Sequence, residues 1–242
     1  MTTQESNKTI VIQGRVFPTT EQLVRDLRKL SDAKIIVSTW IDEEIDVEDV
    51  ENCITLFLQD PGAGPIQNFS RQLYGANQAL GLIDNGLVAK IRSDAICSKD
   101  VFSVYSKIAS DSSRLQYKIF ISNVMSCVPD FRVFSPSDWI YVGRHEDIKE
   151  WFSIERESQV VSKYVDCCEQ IFCVANLLKN EPNIDLKKIT ELSVENIEIT
   201  RRLFEQNFIF TGTQSGFGTI ISRYPTHLDN CLLYTSPSPR DS

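Results

Sequence analysis

Three short runs of predominantly apolar residues constrain the fold of this chain more than any other feature of its sequence. They cover residues 34–38, 54–58 and 87–91, and each is too short and too apolar for an amphipathic helix. The first and third runs are typical of buried strands of a parallel sheet, and the second predicts a further strand. Helical periodicity precedes the first run, over residues 19–30, and the third, over residues 68–84. The sequence therefore predicts an α/β fold with a mixed, mainly parallel sheet flanked by helices.

Further elements are predicted around these runs. The pattern predicts additional strands over residues 9–13, 117–122 and 139–142, the first of them at an edge of the sheet or on the approach to it. The additional helices are predicted over residues 101–110, 146–151, 158–178 and 193–208, the third being one long amphipathic helix. The last two form a carboxyl-terminal helical extension.

Composition and charge limit the function classes. The chain has 242 residues, 42% hydrophobic and 24% charged, which suits one soluble domain with a small extension. A net charge of −8 argues against a nucleic-acid binder and a polybasic membrane patch. No stretch approaches the ~18 apolar residues of a membrane span, so a cytoplasmic protein is expected. The seven cysteines lack a CxxC framework and the chain has two histidines, which favours reduced thiols over disulfides or zinc.

Polar residues follow each apolar run, at the strand ends where ligands bind in open α/β sheets. Thr39 follows the first run, Asp60 the second and Asp94 the third. Asp60 begins an Asp-Pro-Gly sequence, so it either binds a ligand or caps a turn. Asn68 and Arg71 stand at the start of the next predicted helix, where free N–H groups and a guanidinium suit a diphosphate. The arginine could equally pair with an acidic neighbour on the surface.

Four short segments, taken in order, resemble the WavE lipopolysaccharide-synthesis family. They are Ser38-Thr39-Trp40, Asp60-Pro61-Gly62, Arg92-Ser93-Asp94 and residues 134–143, Phe-Ser-Pro-Ser-Asp-Trp-Ile-Tyr-Val-Gly. The resemblance extends over about residues 9–151, and the members look like glycosyltransferases of the GT-A (nucleotide-diphospho-sugar transferase) type. It implies a GT-A-like enzyme that moves a sugar from a nucleotide-sugar donor to lipopolysaccharide or another surface polysaccharide.

The resemblance also implies roles for individual residues. Six of them would bind the donor: Thr39, Asp60, Asn68, Arg71, Arg92 and Asp94. Asp138 would be the base that takes the proton of the acceptor hydroxyl, with a pKa raised by partial burial. Trp139 would stack on an acceptor sugar, and Asp147 is a second candidate for the base. Alternatively, Ser137 or Asp138 caps a turn and Trp139 belongs to the core.

Two interpretations of metal use follow from Arg92, which stands where metal-dependent GT-A enzymes have the first carboxylate of an Asp-x-Asp motif. Asp94 alone could anchor Mn²⁺ or Mg²⁺ held otherwise by water and phosphate. Arg92 could instead neutralise the charge of the donor, so that no metal is needed. The WavE resemblance implies that Arg-x-Asp is the family's own form of the motif.

The domain organisation follows from the resemblance and from the helices beyond it. Residues 1–152 would form the nucleotide-sugar-binding and catalytic domain, and residues 153–230 its helical carboxyl-terminal part. Residues 231–242 resemble a translated sequencing adapter with two Ser-Pro steps, so a non-native disordered tail is expected there, with the natural sequence lost beyond Asn230. The glycine-rich segment 212–218 lacks the Lys-Ser/Thr ending of a P-loop and is a weak candidate for substrate contact.

The expected partners are a nucleotide-sugar donor and a lipid-linked or polymeric glycan acceptor, with no nucleic acid and with peripheral contact at the inner face of the membrane. Two other functions are alternatives. A non-catalytic glycan-binding or assembly module would account for the missing carboxylate at Arg92. A sugar nucleotidyltransferase shares the fold class, but it would carry a glycine-rich, basic loop after its first strand, and residues 38–42 do not form one.

Overall fold

A seven-stranded and a two-stranded sheet organise the chain in the computed structural model, which describes residues 7–109, 118–122, 129, 132–211 and 219–221. The strands are β1 (Lys8–Gln13), β2 (Lys34–Trp40), β3 (Cys53–Leu58), β4 (Leu87–Arg92), β5 (Ala95–Cys97), β6 (Ile119–Ser122), β7 (Ile140–Arg144), β8 (Phe208–Thr211) and β9 (Thr219–Ile221). The helices are α1 (Thr20–Leu30), α2 (Phe69–Leu80), α3 (Val101–Ala109), α4 (His145–Phe152), α5 (Glu155–Val161), α6 (Cys168–Asn180) and α7 (Val194–Asn207), with a 3-10 turn over Leu186–Lys188. None of the helices in these ranges is long and apolar enough to cross a membrane.

The strand order of the large sheet is β3-β2-β1-β4-β7-β6-β8. Strands β1 to β4 are parallel, β7 is antiparallel to both neighbours, and β6 and β8 are parallel to each other. The predicted mixed, mainly parallel sheet is therefore confirmed. The edge position predicted for β1 is wrong, because β1 lies between β2 and β4. Its Ile10, Val11 and Ile12 are wholly buried, and consecutive apolar side chains require cover on both faces of a strand.

The reversed direction of β7 brings a distant part of the chain to the carboxyl ends of the parallel strands. The start of β7 lies opposite the end of β4, and the Arg92 amide donates a hydrogen bond to the carbonyl of Trp139 (3.1 Å). Asp138 therefore enters the sheet beside Arg92. β7 ends beside the start of β4, where the parallel strands begin. α4 and its Asp147 therefore lie at the opposite ends of the strands from Arg92.

Two apolar layers cover the faces of the sheet. Helices α1 and α3 pack on one face, and α2, α4 and α6 contribute to the layer on the other, which includes Val11 and Val88. Because alternate residues of a strand point to opposite faces, Lys90 lies on the same face as Val88, and it is wholly buried. A charged side chain at such a position needs polar partners.

The single long helix predicted over residues 158–178 is wrong. The structure has α5 and α6 there, separated by residues 162–167. Cys167 is extended, and the Asp166 amide donates to Oε1 of Gln170 (2.9 Å), which stabilises the turn ahead of α6. Val161 and Val165 are both buried, as their spacing predicts. The other predicted strands and helices within the described ranges are present with shifted ends.

The two-stranded sheet pairs β5 with β9 in antiparallel fashion. Since β5 begins directly after Asp94, this pairing ties a late segment of the chain to the residues that follow β4. The glycine-rich segment 212–218 and the expected tail, residues 231–242, lie outside the described residues.

Candidate functional site

A cavity of about 280 Å³ opens at the carboxyl ends of the parallel strands, where the sequence predicts a ligand site. The last residues of β1, β2 and β4 and the segments that follow β1 and β4 line it, together with the start of α2. Four of the predicted donor-binding residues belong to this lining, namely Asn68, Arg71, Arg92 and Asp94. Gln13, Arg15, Trp40 and Ser93 also line the cavity, although the sequence assigns no individual role to them.

Gly14 keeps the loop after β1 close to the end of β4. Its φ of 139° lies in the region that favours glycine, and a Cβ there would come within 2.5 Å of Ser93 Oγ. The Ser93 amide donates to the carbonyl of Gln13 (3.1 Å), and Thr20 Oγ1 donates to the carbonyl of Ser93 (2.9 Å). The backbone around the cavity is thus fixed by internal contacts.

Arg92 lies at the cavity between two carboxylates. Its Nε and Nη2 donate to the two oxygens of Asp94 (both 2.9 Å), and its Nη1 donates to both oxygens of Asp138 (both 3.1 Å). The side chains of Asp94 and Asp138 are 2% and 3% exposed, whereas that of Arg92 is 19% exposed. Burial by itself would lower the pKa of Arg92, but Asp138 and Asp94 raise it above its usual value. Arg92 is therefore a firmly charged group held in place by two buried anions.

The pKa of Asp138 is lowered, whereas the sequence predicts that it is raised. Gln72 Nε2 donates to its Oδ2 (2.8 Å), in addition to the bonds from Arg92, and Lys90 Nζ donates to its carbonyl oxygen (3.1 Å). Burial by itself would raise the pKa of Asp138, but the nearby Arg92 and Lys90 hold it below its usual range. The predicted raised pKa is therefore wrong, because two cations of the neighbouring strand β4 lie close to Asp138, Arg92 on its carboxylate and Lys90 on its carbonyl oxygen.

Lys90 is the main site residue that the sequence analysis missed. Its Nζ lies 5.7 Å from the centre of the Tyr141 ring as well as beside Asp138. Burial lowers the pKa of Lys90 to about 8, although the charge of Asp138 opposes the shift. A lysine within an otherwise apolar strand is the signal that could have revealed it, because a buried ammonium requires a partner.

Arg71, which also lines the cavity, binds Asp60. Arg71 Nε donates to Asp60 Oδ1 (2.9 Å), its Nη2 donates to Asp60 Oδ2 (2.6 Å), and its Nη1 donates to Asn68 Oδ1 (3.1 Å). The hydrogen bond from Arg71 lowers the pKa of Asp60. Asp60 also accepts a bond from the Gly62 amide (2.9 Å), as the turn interpretation predicts. Asp60 is absent from the described lining and thus acts on the cavity through Arg71.

The start of α2 offers fewer free amides than the sequence predicts. The Phe69 amide donates to the carbonyl of Ile66 (3.2 Å) and the Ser70 amide to that of Ala63 (3.1 Å). The Asn68 side chain makes no capping hydrogen bond. Guanidinium groups, rather than helix amides, therefore provide the positive charge of the cavity.

Thr39 and Trp139 are buried and are not among the described lining residues. Thr39 is wholly buried, and its Oγ1 has no hydrogen-bond partner within the described part of the chain. Trp139 is 7% exposed, and its amide donates to Ser137 Oγ (3.3 Å), the arrangement of a capped turn beside a core tryptophan. This burial does not fit the predicted stacking on a sugar. Trp40 lines the cavity instead.

Asp147, the second candidate for the base, lies at the opposite edge of the sheet. It lines a separate cavity with Trp151, Asn176 and Lys179. Burial raises the pKa of Asp147, as a general base requires, but β7 separates it from the cavity of Arg92. Asp138 and Asp147 therefore cannot serve the same reaction centre.

The carboxylates of the site fit a divalent cation poorly. Both oxygens of Asp94 accept hydrogen bonds from Arg92, whose guanidinium would repel a cation there. A second group, Asp138, Cys168 and Glu169, brings three ligand atoms within 4.8 Å of one another. Asp138 is again bound by Arg92, and burial raises the pKa of the Cys168 thiol well above its usual value, whereas metals bind the thiolate. The arrangement suits an anion better than a metal ion.

Comparison with known proteins gives a family match and several structural likenesses. The family model described as WavE lipopolysaccharide synthesis matches residues 9–224, and no curated protein matches the sequence. S. aureus TarS is 12% identical, with a TM-score of 0.45 over 71% of this chain and 33% of TarS. The apo-form glycosyltransferase GlyE of Streptococcus pneumoniae TIGR4 is 11% identical, with a TM-score of 0.42 over 86% of this chain and 46% of GlyE. HddC from Yersinia pseudotuberculosis is 14% identical, with a TM-score of 0.38 over 60% of this chain and 79% of HddC. The chain thus matches less than half the length of TarS and of GlyE.

Proposed function

The chain belongs to the WavE lipopolysaccharide synthesis family, and from this premise we propose that it transfers a sugar from a nucleotide-sugar donor to lipopolysaccharide or another surface polysaccharide. In this proposal the donor occupies the cavity at the carboxyl ends of the parallel strands, the usual place for a nucleotide in an open α/β sheet. The reaction takes place in the cytoplasm, and a lipid-linked acceptor would be met at the inner face of the membrane.

The observation that carries the proposal is the concentration of guanidinium groups at this cavity. Arg15, Arg71 and Arg92 all line it, although the whole chain has a net charge of −8. A guanidinium presents paired donors that match phosphate oxygens, and charge-assisted bonds of this kind are strong. The two phosphates of a donor would therefore lie against Arg92 and Arg71, with Asn68 beside Arg71.

Asp138 is the proposed base once Arg92 has turned to the donor. As long as Arg92 binds both of its oxygens, Asp138 is a weak base, because its pKa is held low. Loss of this partner would raise the pKa towards the range that a general base needs. The acceptor hydroxyl would then give its proton to Asp138 as its oxygen bonds to the anomeric carbon and the nucleoside diphosphate departs.

Arg92, rather than Mn²⁺ or Mg²⁺, is the proposed charge partner of the departing diphosphate. Support comes from Asp94, whose two oxygens orient the Arg92 guanidinium. A fixed cation aimed at the developing negative charge performs the electrostatic role of a metal. Asp94 is then a positioning residue for Arg92 and not a metal ligand.

Calorimetric titration with UDP, GDP and CDP, with Mn²⁺ or with a chelator, tests the proposal. We expect saturable binding of one nucleotide that is insensitive to the chelator. Arg92→Gln should weaken this binding by about ten- to a hundredfold, because a charge-assisted hydrogen bond is lost. Arg202→Gln is the matched control, since Arg202 is exposed and paired with Glu181 on a distant surface; its affinity should equal that of the unchanged protein.

The outcomes separate the alternatives. Binding that requires Mn²⁺ and is lost in Asp94→Ala would restore Asp94 as a metal ligand. Absence of binding for all three nucleotides and for their sugar conjugates would contradict the proposed donor site.

A non-catalytic binding module is the second candidate function. It is favoured by the burial of Asp138 and by the engagement of its carboxylate with Arg92 and Gln72. Under this alternative, the bound nucleotide sugar would persist unchanged in the presence of surface-glycan acceptors. Release of the nucleoside diphosphate on addition of an acceptor would establish transfer.

A further inference from the structure

The buried charges around Asp138 depend on Arg92 staying where it is. Two cations, Lys90 and Arg92, face two buried carboxylates, Asp94 and Asp138, and the carboxylate of Glu169, which is only partly buried, lies close to Asp138 as well. Arg92 and Asp94 belong to the cavity lining. Lys90 and Asp138 are buried and do not appear in the described lining.

A diphosphate can use Arg92 only by competing with the carboxylates that bind it. The guanidinium divides its donors, because Nε and Nη2 bind Asp94 while Nη1 binds Asp138. If Nη1 turns to a phosphate, Arg92 can keep Asp94 but leaves Asp138. A buried carboxylate without a cation is unfavourable and takes up a proton. A protonated Asp138 could not act as a base.

We infer that Lys90 is a positioning residue that holds Asp138 in place, as a carboxylate, while Arg92 turns to the donor diphosphate. This inference rests on the proposed function. Lys90 Nζ lies 3.1 Å from the Asp138 carbonyl oxygen, so the ammonium fixes the backbone that carries the carboxylate. It also lies over the face of the Tyr141 ring, which stabilises a cation.

The groups around Asp138 leave Lys90 as the cation that can replace Arg92. β4 supplies Lys90 and Arg92, and α2 supplies the neutral amide of Gln72. Burial raises the pKa of Tyr141 on β7 and of Cys168 on α6, so both are uncharged at neutral pH. The nearby carboxylates are Asp94 and, on α6, Glu169. Lys90 itself, with a pKa of about 8, is mainly protonated at pH 7.

The test is to count the protons that accompany nucleotide binding. Calorimetric titrations with the nucleoside diphosphate that binds, in buffers of low and high ionisation enthalpy at pH 7, give this number. Lys90→Met keeps an apolar stem of similar length and removes the charge. We expect it to take up about one proton more per nucleotide than the unchanged protein, because Asp138 is protonated when Arg92 leaves. Any change in the protonation of the nucleotide itself contributes equally to the proton uptake measured for the two proteins.

Two control variants sharpen the comparison. Lys90→Arg keeps a cation and should bring proton uptake back towards that of the unchanged protein. Val88→Ala removes apolar volume from the same face of β4 without changing a charge, so its uptake should equal that of the unchanged protein. Equal uptake in the unchanged protein and Lys90→Met would overturn the inference and leave the proposed function standing. Absence of nucleotide binding by the unchanged protein would overturn both.

A second measurement needs no nucleotide and therefore does not depend on the proposed donor site. Arg92→Gln removes the cation that the donor is proposed to draw away. Adding Lys90→Met to it leaves Asp138 without either cation, which raises the folded pKa of the carboxyl group. As the pH rises from 5 to 8, the thermal midpoint of the double variant should therefore decrease more than that of Arg92→Gln. Parallel pH curves of the two variants would contradict the inference.

Discussion

Asp138 shows how the sign of one pKa shift decides what a residue can do. Its carboxylate is buried, as a base would be, yet Arg92 and Lys90 keep its pKa low. Its position at the start of a strand beside the cavity could be predicted from the sequence. Its partners could not, because Arg92 is 46 residues away along the chain and meets Asp138 only through the antiparallel pairing of β4 with β7. The same pairing brings Lys90 to Asp138, so the sequence could reveal Lys90 as an unusual residue of an apolar strand but not its partner.

We predict that Asp138→Asn changes the acid stability of the protein. The folded pKa of Asp138 is depressed, so its contribution is present above the unfolded pKa of about 3.9 and is lost as the pH falls through the folded value. The variant should lose about 3–5 kcal/mol of unfolding free energy at pH 7, the typical effect of removing one partner of a buried pair. It should also lose less stability than the unchanged protein on acidification. Denaturant unfolding followed by circular dichroism from pH 2 to pH 7 measures both effects.

Asp49→Asn is the control for this experiment. Asp49 also pairs with an arginine, Arg25, and the hydrogen bond lowers its pKa, but its side chain is 67% exposed. Water screens such a pair, so the stability of this variant should follow that of the unchanged protein at every pH. An equal loss in both variants would mean that the burial of Asp138 has no energetic consequence.

Among the elements, helix ends depend on single polar contacts that periodicity does not reveal. The apolar spacing over residues 158–178 predicts one helix, whereas the bond from the Asp166 amide to Gln170 accompanies a break before α6. At α7, by contrast, a single residue in the sequence is enough to predict where the helix begins. Ser193 precedes the helix, and its Oγ accepts a hydrogen bond from the Asn196 amide (3.1 Å), as an N-cap does.

We predict that Ser193→Ala lowers the unfolding free energy by about 1 kcal/mol, because an amide in the first turn of α7 loses its partner. Denaturant unfolding at pH 7 measures the change. Ser162→Ala serves as the comparison, since the Ser162 hydroxyl makes only a long, exposed bond (3.4 Å) to the Gln159 carbonyl. If the two substitutions have the same effect, the N-cap of α7 does not stabilise the fold.

For the whole molecule, the sheet order determines which residues meet. The parallel half could be predicted, because its short apolar runs identify strands, and the polar residues after them lie at one edge. Burial does not follow from such a run alone, since β3 is the outermost strand and its Ile54 and Phe57 are exposed. The position of β7 could not be predicted, since nothing in residues 139–142 specifies antiparallel pairing with β4. The pairing of β5 with β9 was equally hidden, because its two strands are three residues long and far apart in the chain.

We predict that the β5–β9 pair supports nucleotide binding. Ile220 is the central residue of β9 and pairs with Ile96; Ile220→Pro would disrupt this pairing, because proline cannot donate to a strand ladder. Nucleoside diphosphate affinity should fall several-fold while the seven-stranded sheet survives, as judged by calorimetry and circular dichroism. Ile220→Val preserves a β-branched residue and should bind normally. Full affinity in the proline variant would show that Asp94 does not depend on β9.

The chain order of the cavity has a consequence for synthesis. Its described lining comes from residues 13–94, so the arginines leave the ribosome early. Asp138, the counter-ion of Arg92, follows later, and β9 ends at Ile221. Because translation proceeds from the amino terminus, the nascent chain passes through a stage in which it contains Arg92 and Asp94 but not yet Asp138. Since a domain generally folds as a unit, the paired guanidinium of Arg92 is completed only after Asp138 and the strand that follows it have been synthesised.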